Sequence, residues 1–139
     1  MMEQLIRTAR ELDLPFGKRE KTFNSRMAQE LGKFAEQEGK GDDFHHSVFR
    51  AYFADGLNIG LPSALADISA KVGLGAESVQ EVLEKRLFKE AVDKDWTRSY
   101  QKGVTAVPTF MMNGMALAGA QPYEKLVKMM EDQGVSRRL

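Results

Sequence analysis

The sequence predicts a mainly α-helical chain with one small β-hairpin, an α+β class, on two observations. Apolar residues recur at helical spacing through most of the chain, and the intervening breaks are marked by Gly, Pro, Asn and Asp. The exception is Gly103 to Gln121, where Thr109–Met112 and Met115–Ala118 flank Asn113-Gly114. That dipeptide supplies the two positive-φ residues a type I′ hairpin turn needs.

Taking the chain in order, Leu5, Ile6, Ala9 and Leu12 predict a short opening helix, Glu3 to Leu12, broken by Asp13-Leu14-Pro15-Phe16-Gly17. Asn24 or Ser25 is placed to cap a second helix, in which Met27, Leu31, Phe34 and Ala35 form an apolar stripe ending at Gly39. Asp42 or Asp43 is placed to cap a third, whose Phe44, Val48, Phe49, Tyr52 and Phe53 make the most aromatic face in the chain. After Asp55-Gly56 and Pro62, a fourth runs through Leu65, Ile68 and Val72 to Gly73. Glu77 to about Arg86 presents Val79, Val82 and Leu83, and beyond a break or kink near Leu87 come Phe88, Val92, Trp96 and Tyr100. Trp96 and Tyr100, four residues apart, read as a packed helix face.

In the hairpin, a two-residue turn sets Met112 opposite Met115 and Phe110 opposite Leu117, leaving Thr109, Met111, Ala116 and Ala118 on the other side. Both faces are largely apolar. A lone two-stranded ribbon is marginal in water, so a larger sheet is expected, although no other stretch reads as a strand. Pro122 then starts a last helix with Leu126, Val127 and Met130 inward, and Ser136 to Leu139 reads as a frayed tail. No repeat or interdomain linker is apparent, so residues 1–139 are expected to form one domain: a helical part over about 1–102, then the loop, hairpin and final helix over 103–132.

Twenty basic residues balance twenty acidic ones, which removes the global charge that would draw nucleic acid or an anionic membrane. No apolar run approaches a membrane span, and the N-terminus lacks signal-peptide order, so a cytoplasmic location is expected. The chain has no cysteine, which excludes disulfides, thiolate metal ligands and a thiol nucleophile within it. His45-His46 does not make a metal site, since adjacent residues on a helix point about 100° apart. The eight methionines sit at core spacings and read as adaptable packing. No Ser/His/Asp set, phosphate loop or paired-carboxylate motif stands out. No catalytic residue, metal ligand or cofactor is therefore assigned.

Gly103-Val104, then Val107-Pro108-Thr109-Phe110, Asn113-Gly114, and Gly119-Ala120-Gln121-Pro122 before an amphipathic helix, resemble the C-terminal part of the DsbA-like thioredoxin family, in particular its cytosolic FrnE-type branch. Asn24-Ser25-Arg26-Met27-Ala28 resembles the family's Asn-Thr-Arg-x-Ala-His, with Ser25 for Thr and Gln29 where His is usual. Phe49-Arg50-Ala51-Tyr52-Phe53 is similar to its Phe-x-Ala-Tyr-Phe signature. The resemblance runs from about Asp13 to Asp132 and implies a helical insertion followed by the second half of a DsbA-like thioredoxin fold. It also implies a cis Val107-Pro108 bond, with Val107, Pro108 and Thr109 forming the loop that receives an extended peptide or a small thiol beside the family's Cys-x-x-Cys.

The first strand, the Cys-x-x-Cys and the following strand have no counterpart here, so the chain reads as a fragment or truncated thiol–disulfide oxidoreductase, inactive by itself. Two other readings stay open: a fragment of the related glutathione-dependent isomerase and kappa-type transferase group, and a non-catalytic interaction module. Open hairpin edges also lead to an expected homodimer through Phe110, Met111 or Leu117.

Overall fold

The computed structural model describes residues 2–18 and 21–136. Seven α-helices and a two-stranded antiparallel sheet follow one another as α1 (Met2–Glu11), α2 (Arg26–Gln37), α3 (Gly41–Phe49), α4 (Pro62–Lys71), α5 (Ala76–Lys85), α6 (Lys89–Gln101), β1 (Thr109–Met112), β2 (Met115–Ala118) and α7 (Tyr123–Asp132). A π-helical turn, Arg50–Ala54, continues α3. The chain divides into two compact units, one through Asp93 and one from Lys94 onward, with the boundary inside α6.

The core of the first unit gathers Leu31, Phe34 and Ala35 of α2 with Phe44 of α3, Leu65 and Ile68 of α4, and Val79 and Val82 of α5. These are the residues that helical spacing marks as inward, and burying them supplies the main drive to fold, at roughly 25 cal/mol per Å² of apolar surface. Each helix ends for a local reason. Gly39 and Gly73 take positive φ values of 70° and 74° just past α2 and α4, a region open to glycine because it has no Cβ. α5 stops at Arg86, which adopts the left-handed conformation without being glycine (φ 53°).

Several expectations are corrected. Asp42 and Asp43 do not cap α3; its N-cap is Lys40, and the two acids sit in the first turn, where the helix dipole favours negative charge. The tight turn through Gly39, with Lys40 N–H donating to Ala35 O at 2.8 Å, starts α3 earlier than a side-chain cap would. Phe49 and Phe53 are exposed, as are Trp96 and Tyr100, so neither the full aromatic face of α3 nor the Trp96–Tyr100 face is buried. In α7 the buried residue is Met129, with Leu126 and Val127 half-buried and Met130 exposed. The inward line runs Leu126, Met129, Gln133, at steps of three and four.

In the second unit the hairpin pairs Thr109 with Ala118, Phe110 with Leu117, Met111 with Ala116, and Met112 with Met115. Asn113 (φ 46°) and Gly114 (φ 83°) provide the two left-handed turn residues. Among the described residues the sheet holds only these two strands. Gln133 Nε2 reaches Met115 Sδ at 2.8 Å, tying the end of α7 to β2.

Candidate functional site

The loop that precedes the hairpin begins where α6 is closed by a glycine cap. Gly103 (φ 73°) lets its own N–H donate to Tyr100 O and the Val104 N–H donate to Ser99 O, which satisfies the last carbonyls of the helix. The chain then runs through Thr105 and Ala106 to Val107, whose bond to Pro108 is cis. Pro108 lacks an N–H, but its carbonyl accepts from Gly119 N–H at 2.7 Å and so ties the loop to the far end of β2. Thr109 Oγ1 donates to Ala106 O and closes a tight side-chain turn around Val107 and Pro108. Gln121 Nε2 in turn donates to Ala118 O at 2.7 Å, fixing the exit toward α7.

These contacts leave Val107 standing out. It is 87% exposed, and among the described residues neither its N–H nor its C=O has a hydrogen-bond partner. Its neighbours Thr105, Ala106 and Pro108 are exposed as well, and an exposed segment with unpaired peptide groups is equipped to receive an extended chain as an added strand. The three residues singled out in the sequence, Val107, Pro108 and Thr109, are contiguous here, but their parts differ. Val107 presents its backbone, whereas Pro108 and Thr109 bond within the loop and hold it. No charged residue occurs from Gly103 to Tyr123, so this surface carries no electrostatic preference of its own.

Other candidate groups do not gather into a centre. No cluster of three or more metal-binding side chains exists among the described residues. His45 Nε2 lies 3.3 Å from Glu36 Oε1, and His46 is exposed. A second concavity, lined in part by Ser25, Gln29, His45 and Tyr52, lies in the helical unit. Sequence spacing does not reveal it, because its residues come from the entry loop, α2, α3 and the π-helical turn.

Helices packed as one unit, then a proline loop, a hairpin and a closing helix, make up a DsbA-like thioredoxin fold. The same fold is seen in a probable DsbA oxidoreductase from Streptomyces coelicolor, which matches with a TM-score of 0.83 at 24% identity over 99% of this chain and 61% of that one. A 2-hydroxychromene-2-carboxylate isomerase matches with a TM-score of 0.76 at 21% identity, over 96% of this chain and 64% of that one. The chain belongs to the DSBA-like thioredoxin domain family, whose model matches residues 1–131. It is also similar to the uncharacterized protein YwbO of Bacillus subtilis, 30% identical over 108 residues, 77% of this chain and 54% of that protein. The chain thus spans about half the length of that curated relative. Among the described residues no helix is long and apolar enough to cross a membrane.

Proposed function

We propose that the chain is the substrate-receiving part of a DsbA-like thiol–disulfide oxidoreductase, with Val107, Pro108 and Thr109 holding an extended peptide or a small thiol. The observation that carries this reading is the exposed, unpartnered backbone of Val107 within a chain of that family. The peptide aligns its main chain with Val107, which accepts and donates the two ladder bonds that Pro108 cannot complete. A thiolate then attacks one sulfur of the bound disulfide, forming a mixed disulfide and releasing the other sulfur as thiolate. The sequence holds no cysteine, so that thiolate has to come from polypeptide outside these 139 residues.

Activity separates this reading from that of a non-catalytic interaction module. The purified chain is expected to leave a peptide disulfide at the rate of a no-protein control. The same residues joined to the Cys-x-x-Cys half of a longer relative are expected to exchange it. A joined protein that binds the peptide at Val107 yet exchanges nothing supports the interaction module instead.

Self-association of the chain is part of the proposal. Phe110, Met111 and Met115 are exposed on a two-stranded hairpin with open edges, an apolar surface that a second copy would cover.

A further inference from the structure

The helical unit contains a concavity of about 340 Å³ lined by residues that the loop site does not use. Its aromatic wall is set by the π-helical turn. Asp55 N–H donates to Arg50 O at 3.1 Å, a five-residue step that widens the helix and re-aims the rings following Phe49. Tyr52 and Phe53 then meet nearly edge to face, 4.8 Å apart at 83°, and Phe23 from the entry loop stands edge-on to Tyr52 at 6.4 Å and 76°. Rings fixed at right angles to one another present both faces and edges to a planar guest.

The polar side chains of the lining are those of Thr22, Ser25, Gln29, His45 and Tyr52. Gln29 Nε2 donates to Ser25 Oγ at 2.9 Å, which leaves the Ser25 O–H to donate elsewhere. His45 Nε2 lies 3.3 Å from a Glu36 carboxylate oxygen. The ring is held against Gly32, where an added Cβ would come within 2.7 Å of His45 Cε1. Among the described residues no Lys, Arg, Asp or Glu lines the concavity, so from these an ionic guest would lose its water without gaining a counter-charge. The volume is at the low end of the roughly 300–1,000 Å³ of small-molecule sites and is too small for a folded partner.

We propose that this cleft between α2, α3 and the π-helical turn binds a small, neutral, planar aromatic molecule bearing a hydroxyl or carbonyl group. The rings of Phe23, Phe49, Tyr52 and Phe53 take its faces, and Ser25 and His45 take its polar group.

The test uses 2-naphthol as probe on the full chain, followed by fluorescence and by methyl chemical shifts. Saturable binding is expected, with shifts concentrated on Ala28, Val48 and Ile59. Ser25→Ala is expected to weaken 2-naphthol about tenfold, the worth of one hydrogen bond, while leaving naphthalene unchanged. Phe49 is exposed, so Phe49→Ala should preserve the thermal transition while weakening both probes. 2-Naphthoate should bind more weakly than 2-naphthol. Non-saturable binding, shifts away from the lining, equal loss of naphthalene in Ser25→Ala, or naphthoate binding as tightly as naphthol would each overturn the proposal.

Discussion

Arg86 grips Glu30 with two nitrogens, Nε at 2.7 Å from Oε2 and Nη2 at 2.7 Å from Oε1. Glu30 is only 1% exposed, in the middle of α2, and Arg26 adds a third bond to it from one helical turn earlier, at 3.0 Å. Arg26 also reaches Lys89 O and Asp93, so this buried carboxylate and its arginines link α2 to the end of α5 and the start of α6. The left-handed conformation of Arg86 places its guanidinium over α2 while it ends α5.

Removing Arg86 should therefore be felt as a buried charge losing its main partner. Arg86→Met is expected to lower the stability of the helical unit by about 3 kcal/mol, the lower part of the range for broken buried pairs because Arg26 remains. The urea midpoint measures it. An unchanged midpoint would show that the pair contributes nothing net.

The same pair sets a pH dependence. Hydrogen bonding from Arg86, with help from Arg26, holds the Glu30 carboxyl below its ordinary value of 4.5 against the opposing effect of burial. The folded state therefore binds its proton less readily than the unfolded chain does. The resulting stabilisation is complete above the ordinary glutamate range and is lost as pH falls through it toward the depressed folded value. Stability measured from pH 6 down to about pH 3 should fall more steeply in the wild type than in Glu30→Gln. Parallel curves would contradict the assignment.

Ser69 lies fully buried in α4, and its hydroxyl has no hydrogen-bond partner among the described residues. An unsatisfied buried hydroxyl costs about 1–3 kcal/mol, so Ser69→Ala is expected to raise the thermal midpoint. A lowered midpoint would mean that the hydroxyl is satisfied in solution.

Assembly can be read by light scattering. The chain is expected to dimerise at micromolar concentration, and Phe110→Ser together with Met111→Ser, which take apolar area from the hairpin, should shift it toward monomer. A wild-type monomer with protected hairpin amides would contradict this.

Much of the fold was legible because one periodicity governs each element. Leu31, Phe34 and Ala35, or Val79 and Val82, recur at the helical step, and Asn113-Gly114 marks a hairpin whose register follows from a two-residue turn. The π-helical turn at Arg50–Ala54 was not legible, because one wide turn changes phase without changing composition. Lys40 displaced Asp42 and Asp43 as N-cap because backbone bonds in the Gly39 turn, set by glycine's positive φ, fixed the helix start first. The loop site was found through the family motif around Val107-Pro108-Thr109. The division of labour within it was not, since nothing in residue type says that Thr109 would bond back to Ala106 while Val107 stays open. The Glu30–Arg86 pair is separated by 56 positions, and charge spacing along one helix cannot reach that far.

The central claim is that the backbone of Val107 takes up an extended partner. Amide resonances and hydrogen exchange of the labelled chain, recorded while a disulfide-bearing extended peptide is added, test it most directly. The Val107 amide is expected to shift saturably and gain exchange protection, with smaller changes at Ala106 and Thr109. Val107→Pro, which removes the N–H at an exposed position, should abolish binding while leaving the hairpin amides in place. A Val107 amide that neither shifts nor slows at millimolar peptide, or a Val107→Pro chain that binds as well as the wild type, would contradict the account.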